Sequence, residues 1–158
     1  LNLRFKVKTR NLTPLGEYDP QLTVVETKRI VGYPAFSDIL VYDLDSGSHQ
    51  VFTSTSTFFA SKRNPPVYFG DKEVDIDSFE LLEEWQKEVC YGSITFLKDK
   101  NKYIRFVKRA YTDEDQVNAP RFLKVFDKDF KKVKEFDLTS YNSDLSFQYL
   151  DTGFGIML

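Results

Sequence analysis

The sequence holds one cysteine, one histidine, one tryptophan and one methionine, and these scarcities remove whole classes of chemistry. With Cys90 alone, neither an intrachain disulfide nor a cysteine-based metal cluster can form. Its neighbours Val89 and Tyr91 mark it as a buried filler, because cysteine outside a disulfide packs as a small hydrophobe. His49 as the sole histidine excludes a His-rich metal site and a paired-imidazole acid and base within the chain. It is expected on the surface, in the return strand of a hairpin, and no Gly-x-Ser-x-Gly elbow accompanies it. Stretches of about 20 consecutive apolar residues, the length a membrane-spanning helix needs, are missing. Charge of one sign is missing too: 22 basic and 24 acidic residues give a net charge of -2. They are spread along the chain, so no field is focused on a phosphate backbone and no nucleic acid partner is expected. No cofactor is expected either.

What remains is the composition of a sheet protein. Fifteen Phe and nine Tyr, with many Val, Ile and Thr, suit pleated surfaces on which flat and β-branched side chains pack across strands. A chain of 158 residues buries enough surface for one ordinary core, so residues 1–158 read as one β domain. Leu3, Phe5 and Val7 alternate with polar residues as a half-buried first strand does. Strands follow at 22–25 and 29–33, the latter stopped by Pro34. Three hairpins are expected over 39–52, 93–107 and 122–136, each turning through polar residues, with a last pair at 147–149 and 155–158. The Ser/Thr-rich stretch 53–61 reads as either a short strand or an irregular connection.

One segment, 78–89, has helical periodicity. Asp77 stands as N-cap with Glu80 at capping-box spacing, and Phe79, Leu82, Trp85 and Val89 form one apolar face. Residues 71–92 are therefore expected to be a helical insertion that buries Trp85 against a sheet.

Candidate binding residues come from two places. The densest basic run, Lys98, Lys100, Lys102, Arg105, Lys108 and Arg109, interleaves with Tyr103, Phe106 and Tyr111, although alternation sends many of those rings inward. Asp113, Glu114 and Asp115 fill a polar connection. They could supply oxygen ligands, yet lack the glycine and terminal glutamate of an EF-hand, and no metal is expected. Tyr103, Tyr111, Asp113, Glu114 and Asp115 are the ligand-binding candidates, while Trp85, Asp77 and Cys90 are structural. No catalytic residue can be named. The poverty of acid and base groups favours a binding or scaffolding module over an enzyme. The rival is a carbohydrate-processing enzyme whose carboxylates are completed outside this chain.

Two hairpins resemble each other. Ile39-Leu40-Val41-Tyr42-Asp43 and Phe122-Leu123-Lys124-Val125-Phe126-Asp127 both set an aromatic residue and an aspartate before a polar turn, and return through Gln50-Val51-Phe52 and Val133-Lys134-Glu135-Phe136. That arrangement looks like the outer hairpin of a propeller blade, with residues 93–107 as inner strands. The chain as a whole resembles a bacterial lipoprotein family of unknown function, typical of Bacteroides and its relatives, with six irregular propeller blades. The resemblance implies antiparallel sheets forming part of a β-propeller, with one short inserted amphipathic helix. It also implies a periplasmic or outer-membrane-attached place in the cell envelope, a glycan, peptide or envelope protein as partner, and a lipid anchor outside this chain. The sequence opens on Leu1, not Met, and is expected to be a fragment of a member about twice its length.

Overall fold

The computed structural model describes residues 20–64, 87–112, 119–140, 150–151 and 156–157. β1 (Gln21–Val25), β2 (Lys28–Tyr33), β3 (Phe36–Asp43) and β4 (His49–Phe52) form the first sheet, paired in chain order. β5 (Cys90–Leu97), β6 (Lys102–Lys108), β7 (Arg121–Phe126) and β8 (Lys132–Asp137) form the second, again in chain order. β9 (Leu150–Asp151) and β10 (Ile156–Met157) make a separate pair, and every pairing is antiparallel.

The aspartates before the turns have a local task. The Asp43 carboxylate accepts the N–H groups of Asp45 and Ser46, both at 3.0 Å, and closes the β3–β4 turn. Asp127 does the same between β7 and β8, accepting from Asp129 and Lys131 at 2.9 Å. Main-chain donors favour the ionised form. They hold both carboxyls below the usual range, the Ser46 amide contributing most for Asp43 and the Lys131 amide for Asp127. Phe130 in the second turn has a left-handed φ of 59°, unusual for a bulky residue. Its ring explains the exception. It is buried, stacked on Tyr103 at 4.4 Å and packed on Phe52 at 5.0 Å, so contact between the sheets compensates the backbone cost.

The sheets meet face to face. Ile30, Ile39 and Val41 of the first pack with Ile94, Tyr103, Phe126 and Phe130 of the second. Phe59, Val89, Tyr91, Val107 and Phe122 make a second cluster. Residues 53–61 are the irregular connection, leaving β4 and crossing the seam between the sheets.

The expected propeller with an inserted helix needs correcting. Among the described residues, the chain forms two open four-stranded antiparallel meanders, and neither sheet curls or closes. The longest described helical piece is the 3-10 turn Lys98–Lys100. The repeated aromatic-Asp-turn pattern misleads for a physical reason: a carboxylate that caps its own turn serves any antiparallel hairpin, whatever the larger array. Most of the helix expected over 78–89, with Trp85 and Asp77, lies outside the described residues. At its end, Lys87 and Glu88 form a turn and bend, and Val89 is irregular and buried. The strand expected at 3–7 also lies outside.

Candidate functional site

The unusual chemistry of this fold is inside it. In β6 the alternation puts Tyr103, Arg105 and Val107 on the face toward the first sheet, and in β7 it puts Phe122, Lys124 and Phe126 there. Ile104 and Phe106 on the other face of β6 are buried as well, so this strand is enclosed on both sides. A charge in the middle of such a strand has no route to water. Arg105 and Lys124 are 0% and 1% exposed, and they stand directly opposite each other across the β6–β7 ladder. Glu135 of β8 is the next partner in the same row.

Burial of a cation is tolerable only when its donors are used. Those of Arg105 go to main-chain carbonyls. Its Nε donates to Gly92 O at 2.8 Å, Nη2 to Tyr33 O at 2.9 Å, and Nη1 to Ser37 O at 3.1 Å and Asp38 O at 3.4 Å. One guanidinium thereby ties the bulged start of β5 to the β2–β3 turn and the first residues of β3. Beside it, the Tyr91 N–H donates to Pro34 O at 2.9 Å, and the Tyr91 ring lies 4.9 Å from the guanidinium carbon. Gly32 makes the room: a Cβ there would sit 3.0 Å from Arg105 Nη2, which the bond to Tyr33 holds in place. Desolvation pulls Arg105 down to about 10 and pushes the Tyr91 phenol up.

Lys124 is held differently. Its ammonium donates to the carbonyl and hydroxyl oxygens of Ser54, at 3.2 and 3.1 Å, and lies 5.0 Å from the Phe59 ring centre and 5.6 Å from that of Tyr91. Desolvation brings it down to about 8, with Glu135 opposing and Lys132 and Arg105 reinforcing the shift. Glu135 accepts from Ser56 Oγ at 3.0 Å and pairs with Lys132 at 3.3 Å.

The open side of the seam is a groove of about 700 Å³ along β1 and β5, the adjacent outer strands of their sheets. Thr23, Val25, Ser93, Thr95, Phe96 and Lys98 contribute to its lining, and Glu26 is the sole acid among the lining residues. The Thr23 hydroxyl donates to Ile94 O across it.

The candidates named from sequence do not gather into one site. Tyr103 is 3% exposed, packed between Phe96 and Phe130, and burial raises its phenol. Tyr111 is half-buried, its ring 5.1 Å from Lys108 Nζ and its N–H bonded to Lys87 O. Asp113, Glu114 and Asp115 lie outside the described residues. Cys90 is half-buried and opens β5 opposite Lys108. Among the described residues no three His, Cys, Asp or Glu side chains are grouped to hold a metal, and no helix is long and apolar enough to cross a membrane. Reading Arg105 as part of a surface run, and Lys124 as an ordinary strand residue, misses the buried pair. A signal for it exists in the sequence: each occupies the middle of a strand on the same face as buried aromatic or aliphatic residues two positions away.

Fold and site together define a class: an all-β protein of two antiparallel meanders joined by an internal cationic clamp. Residues 4–137 match the model of a domain of unknown function, DUF4221, and the chain belongs to that family. It is similar in fold to the crystal structure of a DUF4221 member from Bacteroides vulgatus, with 16% identity and a TM-score of 0.59. That likeness covers 76% of this chain and 34% of the relative, so the chain spans about a third of the relative's length. No curated protein matches the sequence.

Proposed function

We propose that the protein is a non-enzymatic binding or scaffolding module of the bacterial cell envelope. One observation carries the non-enzymatic part: the two buried cations, the groups best placed for chemistry, direct their hydrogen bonds to the chain's own carbonyls and a serine hydroxyl. Neither is left poised toward a substrate. The groove along β1 and β5 supports the same reading, because its lining mixes aliphatic, hydroxyl and aromatic groups with a single carboxylate, Glu26, and a single amine, Lys98, and holds no pair of carboxylates. An envelope setting, with a lipid anchor outside this chain, is supported by the resemblance to bacterial lipoproteins and by a family member in Bacteroides. A glycan, a peptide or an envelope protein is the partner in view.

The test presents the purified protein to glycan and peptide arrays and follows each captured glycan for breakdown. Binding without turnover is expected, weakened by Thr95→Arg or Phe96→Ala in the groove lining. Turnover of a bound glycan, abolished by replacing either of two carboxylates, would make the protein the carbohydrate-processing enzyme instead.

A further inference from the structure

The connection that leaves β4 is attached to the molecule in an uncommon way. Among the described residues, 53–60 make no main-chain to main-chain hydrogen bond. The segment is a tract of five hydroxyl residues, Thr53 to Thr57, followed by Phe58, Phe59 and Ala60. Thr53, Thr55 and Thr57 face solvent, while Ser54 and Ser56 turn toward the second sheet.

Side chains supply the attachments. Lys124 holds the carbonyl and hydroxyl of Ser54, Lys132 donates to the carbonyl of Thr55 at 2.5 Å, and Glu135 takes the hydroxyl of Ser56. The Tyr91 hydroxyl donates to Ala60 O at 2.5 Å. Phe58 stacks on Phe122 at 5.2 Å, and Phe59 packs on Phe122 and Tyr91. Both ends are fixed by main chain. β4 pairs with β3 on one side; on the other, Ser37 donates to Ser61 O and Arg63 to Ala35 O, each at 2.8 Å.

We propose that residues 53–60 form a strap that detaches from the second sheet as a unit while both sheets stay folded, uncovering Lys124, Glu135 and the Phe122 ring. Both sheets keep their ladders when the strap leaves, because it belongs to neither. Lys124 and Glu135 regain water on opening, which offsets part of the free energy needed to release the strap. Segments with few backbone bonds and an exposed outer side open at lower free energy than the strands beneath them. The strap goes beyond the binding reading and does not depend on it.

Native-state proteolysis tests it. Chymotrypsin is added to the intact protein over a series of sub-denaturing urea concentrations, and the cut after Phe59, a buried residue, is timed by mass spectrometry. Cleavage there is expected to depend weakly on urea, since little surface is exposed by a local opening. Lys132→Ala and Glu135→Ala, which remove the donor to Thr55 O and the acceptor for Ser56 Oγ, should each speed it by about tenfold, the loss of one hydrogen bond to a charged group, with the global unfolding midpoint read in parallel. A rate at Phe59 that follows urea as steeply as global unfolding, or that both variants leave unchanged, would overturn the strap.

Discussion

The two sheets are built alike and stabilised differently. In the first, one face meets the seam through Ile30, Ile39 and Val41, and the other presents a row of directly opposed aliphatics, Leu22, Val31, Leu40 and Val51. Leu22 and Val51, at its two ends, are 60% and 49% exposed. In the second sheet β6 is buried on both faces, and two of the charges, Arg105 and Lys124, lie inside. The difference is one of dependence. The first sheet offers carbonyl groups from the β2–β3 turn and the start of β3; the second supplies the guanidinium that needs them. Each keeps its own ladder, yet Arg105 is satisfied only when both are in place.

Breaking that dependence should have the largest effect. Arg105→Met keeps an apolar stem of similar length but leaves the carbonyls of Gly92, Tyr33 and Ser37 without their donor in a dry seam. Each buried carbonyl left without a donor costs about 1 to 3 kcal/mol, partly offset because a cation is no longer buried, for a net loss of about 3 kcal/mol. Urea denaturation should show a loss of that size. A change under about 1 kcal/mol, the median scale of a surface interaction, would mean that the sheets are held by their aromatic contacts and not by the clamp.

Lys124 sharpens the comparison through pH. Its folded value near 8 lies below the ordinary 10.5, so between those two values the unfolded chain binds more protons than the folded one. Stability therefore rises with pH from about 8 toward 10.5 and is insensitive to this group below 8. The groups that face the ammonium are Arg105 on β6, Tyr91 on β5, and Lys132 and Glu135 on β8. Tyr91, pushed up by burial, acts oppositely above 10, so the clean window is pH 8 to 9.5. Within it the protein should gain about 1 to 2 kcal/mol, and Lys124→Met should flatten the rise. A wild-type profile already flat there would show that the ammonium is hydrated in solution.

The same contrast explains what is legible in the sequence. Strands of the first sheet announce themselves as short apolar runs bounded by breakers, Leu22 to Val25 and Arg29 to Tyr33 before Pro34, although both faces carry aliphatics. Turn chemistry places the three hairpins through Asp43, Asp127 and the polar residues at 98–102. The larger array is not legible, since those turns are satisfied locally and carry no information about how many sheets follow. Nor is the site. Arg105 and Lys124 look like ordinary surface cations until β6 and β7 are put in register and the Tyr33, Ser37 and Ser54 oxygens are brought across the seam. Those oxygens belong to residues about 70 positions away in the chain. A place in a basic run suggests that Tyr103 faces a ligand, but its strand is enclosed and its ring completes the aromatic stack with Phe96 and Phe130.

The smallest effect is expected on the outer face of the first sheet, and it isolates what the aliphatic row contributes. Leu22 stands at the edge of that row, 60% exposed, on a strand whose inward contacts are made by its neighbours in alternation. Leu22→Thr keeps β propensity and removes apolar surface that is mostly wet already. Surface changes of this kind shift stability by about 0.5 kcal/mol or less, and the denaturation midpoint of the protein should move no further. Val31 and Leu40, deeper in the same row, are half-buried, so Leu40→Thr should cost more than Leu22→Thr. A loss at Leu22 equal to that at Leu40 would show that the edge of the row is covered in solution, and that β1, like β6, is enclosed on both faces.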